Sequence, residues 1–139
     1  MIILDTNVLS EALKPNPAPI VLTWLAALDR MAAFTTAVTQ AEILYGIESL
    51  PDGKRRAALL AAAETVFRRE FAGRVLSFDE NAARAYAQIV SARNAAGRPI
   101  SQFDAMIAAI ARAHHATVAT RNTGDFDACG LALVNPWKD

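Results

Sequence analysis

The chain has 139 residues, 53% hydrophobic and 20% charged, which suits one folded domain with a substantial core and excludes a disordered polymer. Lysine plus arginine (14) equals aspartate plus glutamate (14), so long-range attraction is not the main driver of any nucleic-acid binding, which must come from local patches. The single cysteine, Cys129, excludes an internal disulfide and a cysteine-rich metal site and reads as a small buried residue.

Met1-Ile2-Ile3-Leu4 is a short apolar run that stops at Asp5-Thr6-Asn7, the pattern of a buried strand ending in a polar cluster. The acid arrives after four residues with no basic segment before it, so no secretory signal is expected. No stretch is apolar for long enough to span a bilayer, and a cytoplasmic location is the expectation. A first helix is predicted through Val8 to Leu13, and from these residues alone Asp5 is open to two roles, helix cap or metal ligand, with Thr6 a second candidate cap.

Pro15, Pro17 and Pro19 punctuate the exit from that helix, and Ile20 to Leu28 resumes helical spacing. Ala33 to Thr36 reads as a strand. The helix after it turns Val38, Ala41, Leu44 and Tyr45 to the core and carries Glu42 in its first turns. Pro51-Asp52-Gly53 precedes a long Ala-, Leu- and Arg-rich helix to about Phe71, closed by Ala72-Gly73. Val75 to Phe78 is the next strand, and Asp79 or Glu80 starts a helix over Ala82 to Ala96 that Gly97 ends. Ser101-Gln102-Phe103-Asp104 resembles a capping box with Asp in the place of Glu or Gln, opening a helix from Phe103 to His115. Strand Thr117 to Thr120, a polar loop Arg121 to Asp127 and a last strand Leu131 to Val134 complete the chain. Strands alternating with helices predict an α/β fold: a single domain over 1–139 with a central, mostly parallel sheet flanked by helices.

Four acids, Asp5, Glu42, Asp104 and Asp125, are far apart in sequence, yet each falls at a predicted strand end or helix start. If the strands bearing Asp5 and Thr120 are neighbours at the sheet centre, these carboxylates converge, and such a cluster needs a cation to neutralise it. A hard divalent ion takes oxygen ligands and needs only one or two protein carboxylates. Asp5 and Asp104 are then the direct ligands, Glu42 ligates directly or through water, and Asp125 orients water or a second ion. Thr6, Asn7, Thr120 and Asn122 are placed to steady the carboxylates by hydrogen bonds. Each acid also has a plain structural role open to it: Glu42 as an early-turn acid, Asp104 as a cap partner, Asp125 as a loop cap.

Other signals are weaker. Lys54-Arg55-Arg56, Arg68-Arg69 with Arg74, and Arg93 with Arg98 read as solvated helix faces rather than nucleic-acid patches. His114 and His115 are adjacent and do not share a helix face, so they make no paired metal site. Trp24 and Trp137 read as core or interface residues rather than base-stacking platforms. There is no Walker-type phosphate loop and no nucleophilic Ser or Cys signature.

The segments Ile3 to Glu11 (ILDTNVLSE), Thr39 to Gly46 (TQAEILYG), Asp104 to Ala109 (DAMIAA) and Ala119 to Phe126 (ATRNTGDF), with the ending Asn135-Pro136-Trp137, together resemble the PIN-domain family, and more narrowly the VapC and FitB type toxins of bacterial toxin-antitoxin modules. That resemblance spans essentially the whole chain. It implies a Mg2+- or Mn2+-dependent ribonuclease acting on tRNA, rRNA or mRNA, with Asp5, Glu42, Asp104 and Asp125 on the family's acidic positions. Some relatives carry an acid where Asn122 stands, which makes Asp125 the least secure of the four. The resemblance further implies a cognate antitoxin of the VapB or FitA kind, a homodimer or larger toxin-antitoxin assembly, and operator DNA contacted through the antitoxin. Leu9, Leu13, Trp24, Leu25, Leu44 and Tyr45 are candidates to line the antitoxin groove.

Two other readings compete. A catalytically weak module that acts by binding its partner and DNA is one, although all four acids are present. A phosphatase with an aspartate nucleophile is the other; it typically needs a second Asp two residues on, where this chain has Asn7.

Overall fold

The computed structural model describes residues 1–138; residue 139, the end of the expected domain, lies outside the described residues. Five strands, β1 (Ile2–Leu4), β2 (Ala33–Thr36), β3 (Val75–Leu76), β4 (Thr117–Ala119) and β5 (Leu133–Val134), pair in the order β3-β2-β1-β4-β5, every neighbour parallel. The chain builds outward from β1 to β3 and then returns to lay β4 on the other side of β1. This reversal puts a topological switch point between β1 and β4, where open parallel sheets bind their ligands beyond the carboxyl ends of the strands.

Helices cover both faces, which is why the strands are apolar on both sides. Side chains alternate, so Ile3 and its partner Val118 turn to one face while Leu4 and its partner Ala119 turn to the other. Ile3 and Val118 pack with Ile89 of α5 (Glu80–Ala95) and Ile107 and Ile110 of α6 (Gln102–Ala113). Leu4 and Ala119 pack with Val8 and Leu9 of α1 (Thr6–Ala12), Ile43 and Ile47 of α3 (Ala37–Glu48), Ala63 of α4 (Lys54–Thr65), and Phe67 and Phe71. Trp24 and Leu25 of α2 (Pro19–Ala27) lie half-buried against this second cluster. Each fully buried aliphatic side chain contributes about 1.5–3 kcal/mol. The run Ile107 to Ala111 is fully buried all round, which fixes the helix that carries Asp104.

Several boundaries differ from the sequence reading. The first helix begins at Thr6 rather than Val8, because Asp5 caps it from the end of β1. The long helix does not run regularly to Phe71: it turns π-helical over Val66–Glu70, with Phe71 N–H bonded to Val66 C=O. The Glu70 carbonyl there accepts from the Arg74 guanidinium. Helix α5 begins at Glu80, capped by Asp79, whose carboxylate accepts from Ala82 N–H at 2.9 Å. The last strand shrinks to two residues, though Ala132 still gives its carbonyl to Val118 N–H.

The larger correction concerns the arginines. Arg74 and Arg93 are buried, not part of solvated faces. Arg74 donates to the carbonyls of Arg30, Ala33 and Glu70. Arg93 donates to those of Arg98, Asp125 and Asp127. Each guanidinium thereby ties three carbonyls together, and of the six bonds only that from Arg74 to Ala33 is fully buried. Lys54, Arg55, Arg68, Arg69 and Arg98 are exposed as expected.

Candidate active site

Asp5 stands one residue beyond β1, and its backbone N–H continues the ladder to Ala119 C=O at 3.0 Å. Its side chain is 5% exposed and accepts three hydrogen bonds: from Thr6 N–H (2.8 Å), from Thr120 Oγ1 (2.8 Å) and from Asn7 Nδ2 (3.2 Å). All three donors are neutral. Of the two roles left open by the sequence, Asp5 fills that of helix cap, and its carboxylate also stands at the switch point.

Glu42 reaches the same region from α3. Thr6 Oγ1 donates to Glu42 Oε1 at 2.7 Å and stands 3.1 Å from the buried Thr39 Oγ1. Thr39 was not among the sequence candidates. Its position is set by Thr36, which caps α3 by accepting from Thr39 N–H at 3.0 Å.

Asp104 enters in the first turn of α6, where Ser101 Oγ accepts its backbone N–H at 3.2 Å. Asp125 lies on the 3-10 turn Thr123–Phe126 and is exposed, its carbonyl tied to Arg93 at 3.1 Å. Thr120 is the hub on the β4 side. It donates to Asp5 and accepts from Asn7 Nδ2 (3.2 Å) and Asn122 N–H (3.1 Å). Asn7 also accepts from Arg121 N–H at 3.1 Å. Of the four predicted supporting residues, Thr6, Asn7 and Thr120 bond to the acids by their side chains, whereas Asn122 joins through its backbone. With Asn7 engaged as an amide among these partners, the second acid that the phosphatase reading requires is absent.

Charge links the acids in pairs, Asp5 with Asp104 and with Glu42, and Asp104 with Asp125. Burial raises the Asp5 pKa to about 6, against the hydrogen bonds from Thr120 and Thr6, and the negative charges of Asp104 and Glu42 push it the same way. Asp104 is raised chiefly by burial and then by the charge of Asp125, while Ser101 and the more distant Arg93 oppose the shift. Among the described residues, none of the four acids forms an ion pair with a lysine or arginine.

This pocket suits a hard divalent cation by its donor chemistry. It offers carboxylate, hydroxyl and amide oxygens, and negative charge with no cationic partner. Among the described residues, no group of three or more acids, histidines or cysteines stands close enough to hold a metal ion, so the expected convergence of all four carboxylates is not met. A site of this kind holds an ion through one or two carboxylates and retained water, as Mg2+ sites commonly do.

The expected antitoxin groove is divided. Leu9, Leu13 and Leu25 line an apolar cavity of about 650 Å3 between α1, α2 and α4. Trp24 and Leu44 pack half-buried into the second core cluster. Tyr45 and Ala41, expected on the core side of α3, are instead exposed, Tyr45 by 76%, because Val38, Thr39, Ile43 and Ile47 form the buried face. Trp137 is half-buried in the same cluster and carries Arg121 over its ring, so its setting is a packed one, as expected. Cys129 is buried as expected. Among the described residues, no helix is long and apolar enough to cross a membrane.

Residues 2–130 match the PIN domain family. Toxin FitB of Neisseria gonorrhoeae is 45% identical over 139 residues, covering 100% of both chains. The VapC ribonuclease Y4jK of Sinorhizobium fredii is 42% identical over 138 residues, covering 99% of each. Among solved structures, that of FitAB bound to an IR36 DNA fragment superposes with a TM-score of 0.94 and 44% identity, covering 100% of this chain and 97% of the other.

Proposed function

Because the chain belongs to the PIN-domain family, with FitB and VapC toxins among its relatives along their full length, we propose that it is the toxin of a type II toxin-antitoxin module, a divalent-metal-dependent endoribonuclease held inactive by a cognate antitoxin. The observation that carries this reading is Asp5: a buried carboxylate at the sheet's switch point, facing two further acids and no cation. Nothing in the packing needs such a repulsive grouping, and an ion relieves it.

In this reading Asp5 and Asp104 hold Mg2+ or Mn2+, with Glu42 ligating directly or through water and Asp125 orienting water or a second ion. The ion supplies water activation and charge stabilisation at the phosphodiester. The chain's own groups set the geometry. Thr120 and Thr6 N–H fix both oxygens of Asp5, Thr6 Oγ1 fixes Glu42, and the Arg93 bond to the Asp125 carbonyl anchors the turn that bears Asp125. The partners in this reading are RNA as substrate, an antitoxin of the VapB or FitA kind, a second copy of the chain in a homodimer or larger assembly, and operator DNA through the antitoxin. An antitoxin Arg or Lys set against Asp5 and Asp104 blocks RNA while replacing the metal's charge. The apolar cavity lined by Leu9, Leu13 and Leu25 offers it a seat.

The test is cleavage of labelled total and structured RNA by purified protein with Mg2+, with Mn2+ and with chelator, beside an Asp5→Asn control. Metal-dependent cutting that the control loses is the expected result. A folded, antitoxin-free protein that cuts nothing under any of these metals overturns the nuclease reading and leaves partner binding as the role.

A further inference from the structure

A pocket of acids that must receive a polyanion faces an electrostatic problem: the groups that hold the metal also repel the substrate. A cation on the rim relieves it. Arg55, which lines a pocket with Thr6 and Glu42, is exposed and outside the ion pairs of the described residues but has no bracing contact of the kind described below. Other basic side chains near the site are committed. Arg93 is buried on loop carbonyls, Arg98 pairs with Asp127 at 2.9 Å, and Lys14 pairs with Glu11 at 2.9 Å. Arg121 differs. It directly follows Thr120, is exposed, and forms no ion pair with any described residue, although its charge reaches far enough to help lower the pKa of Glu11.

Its position is built rather than incidental. The Arg121 N–H donates to Asn7 Oδ1 at 3.1 Å, and Asn7 Nδ2 in turn donates to Asp5, so the Arg121 backbone belongs to the acid network. The guanidinium lies over Trp137, its Cζ 5.0 Å from the ring centroid. Buried Asn135 holds the two in register: Nδ2 donates to the Arg121 carbonyl at 3.2 Å, and Oδ1 accepts the Trp137 N–H at 2.9 Å. The guanidinium, held over the ring by a cation–π contact, is in no ion pair with any described residue, and its N–H donors form the fork that matches a phosphate. The ring contact also orders the side chain in advance and so lowers the entropy lost on binding.

We propose that Arg121, braced by Trp137 and Asn135, is a substrate-positioning residue that grips an RNA backbone phosphate beside the scissile bond. This rests on the ribonuclease reading and adds to it the contact that brings the strand to the acids. Trp137 acts as the brace and not as a base platform, because the arginine occupies its face.

The test uses a short fluorescein-labelled single-stranded RNA of mixed sequence, with anisotropy followed across a salt series in Mg2+ on the non-cleaving Asp5→Asn protein. Adding Arg121→Gln should weaken binding and flatten the log-affinity against log-salt slope by about 0.7, the share of one phosphate contact on a single strand. Trp137→Leu should weaken binding yet keep the slope, since the charge remains. In otherwise wild-type protein, Arg121→Gln should raise KM more than it lowers kcat, with Arg121→Lys intermediate. An unchanged slope and KM overturn the proposal, as does a lowered melting temperature alone, which would mark a purely structural residue. Intact RNA binding with lost antitoxin inhibition also overturns it and assigns Arg121 to partner recognition. If the wild-type protein cleaves RNA while Arg121→Gln changes nothing, only this inference fails; if the wild type neither binds nor cleaves RNA, the ribonuclease reading falls first.

Discussion

Thr120 Oγ1 donates to Asp5 Oδ2 at 2.8 Å across the central β1–β4 pair, although 115 positions separate the two residues. The bond favours the charged form of a carboxylate that burial and two neighbouring acids otherwise push toward neutrality. Thr120→Val keeps the shape and removes the donor. We expect it to raise the Asp5 pKa further and to cost about 1 kcal/mol of stability. Divalent-metal affinity, read by calorimetric titration, should fall on the order of 10- to 100-fold. Unchanged metal affinity would show that the Thr120 bond does not support metal binding through Asp5.

The Asp5 pKa of about 6 in the fold, against an ordinary 3.8, makes the metal-free protein pH-sensitive in a definite direction. Between those values the folded state keeps a proton that the unfolded chain has lost, so folded stability falls as pH rises through the window. The effect reaches about 3 kcal/mol once pH exceeds both values. Asp5→Asn has no such proton. Its stability relative to wild type should therefore climb from about pH 4 to pH 7 in chelator, measured by urea denaturation at each pH. Saturating Mg2+ should reduce the difference by stabilising the wild type. A pH-independent difference would count against a raised Asp5.

The parts of this site that lie at strand ends were legible because their signals are local. An apolar run stopping at Asp5, and another stopping at Thr120, mark where the sheet ends whatever the rest of the chain does. The parallel order of alternating strands and helices followed for the same reason. Thr39 carried no such mark, since a threonine within a helix's first turn gives no sign that it will meet Thr6, 33 positions earlier. Arg74 and Arg93 misled outright. On a helix or at a turn, an arginine beside other arginines looks solvated, and only the return of distant loops supplies the carbonyls that bury it.

Arg93 should accordingly be among the costliest polar residues to replace. Arg93→Met leaves the carbonyls of Arg98, Asp125 and Asp127 without their donor at a position where the arginine itself is buried. We expect a loss of about 2–4 kcal/mol in urea denaturation. Arg93→Lys should recover little of it, because one ammonium cannot span the carbonyls that a planar fork reaches. Since Asp125 rides on the same turn, RNA cleavage should fall in any Arg93 variant that still folds. A stability loss below about 0.5 kcal/mol, the range of ordinary surface substitutions, would contradict this account of the residue.

Cys129 offers a probe of the same region without touching the acids. Its side chain is buried, and burial raises the thiol pKa above its usual value, with the hydrogen bond from Arg93 at 3.6 Å only partly opposing that. A thiol that is both protonated and enclosed reacts slowly, because the thiolate is the nucleophile and must also be reached. In the native protein, modification by a disulfide reagent should therefore be slow and should speed sharply in urea, tracking opening of the fold. Arg93→Met should accelerate modification under native conditions. Arg93 favours the thiolate while it holds the surrounding turn closed, so its loss pulls the reactivity two ways: the pKa effect alone would slow the reaction, and loosening of the turn would quicken it. Faster labelling in the variant would show that access, rather than ionisation, governs Cys129, and slower labelling would show that the turn stays closed without its arginine.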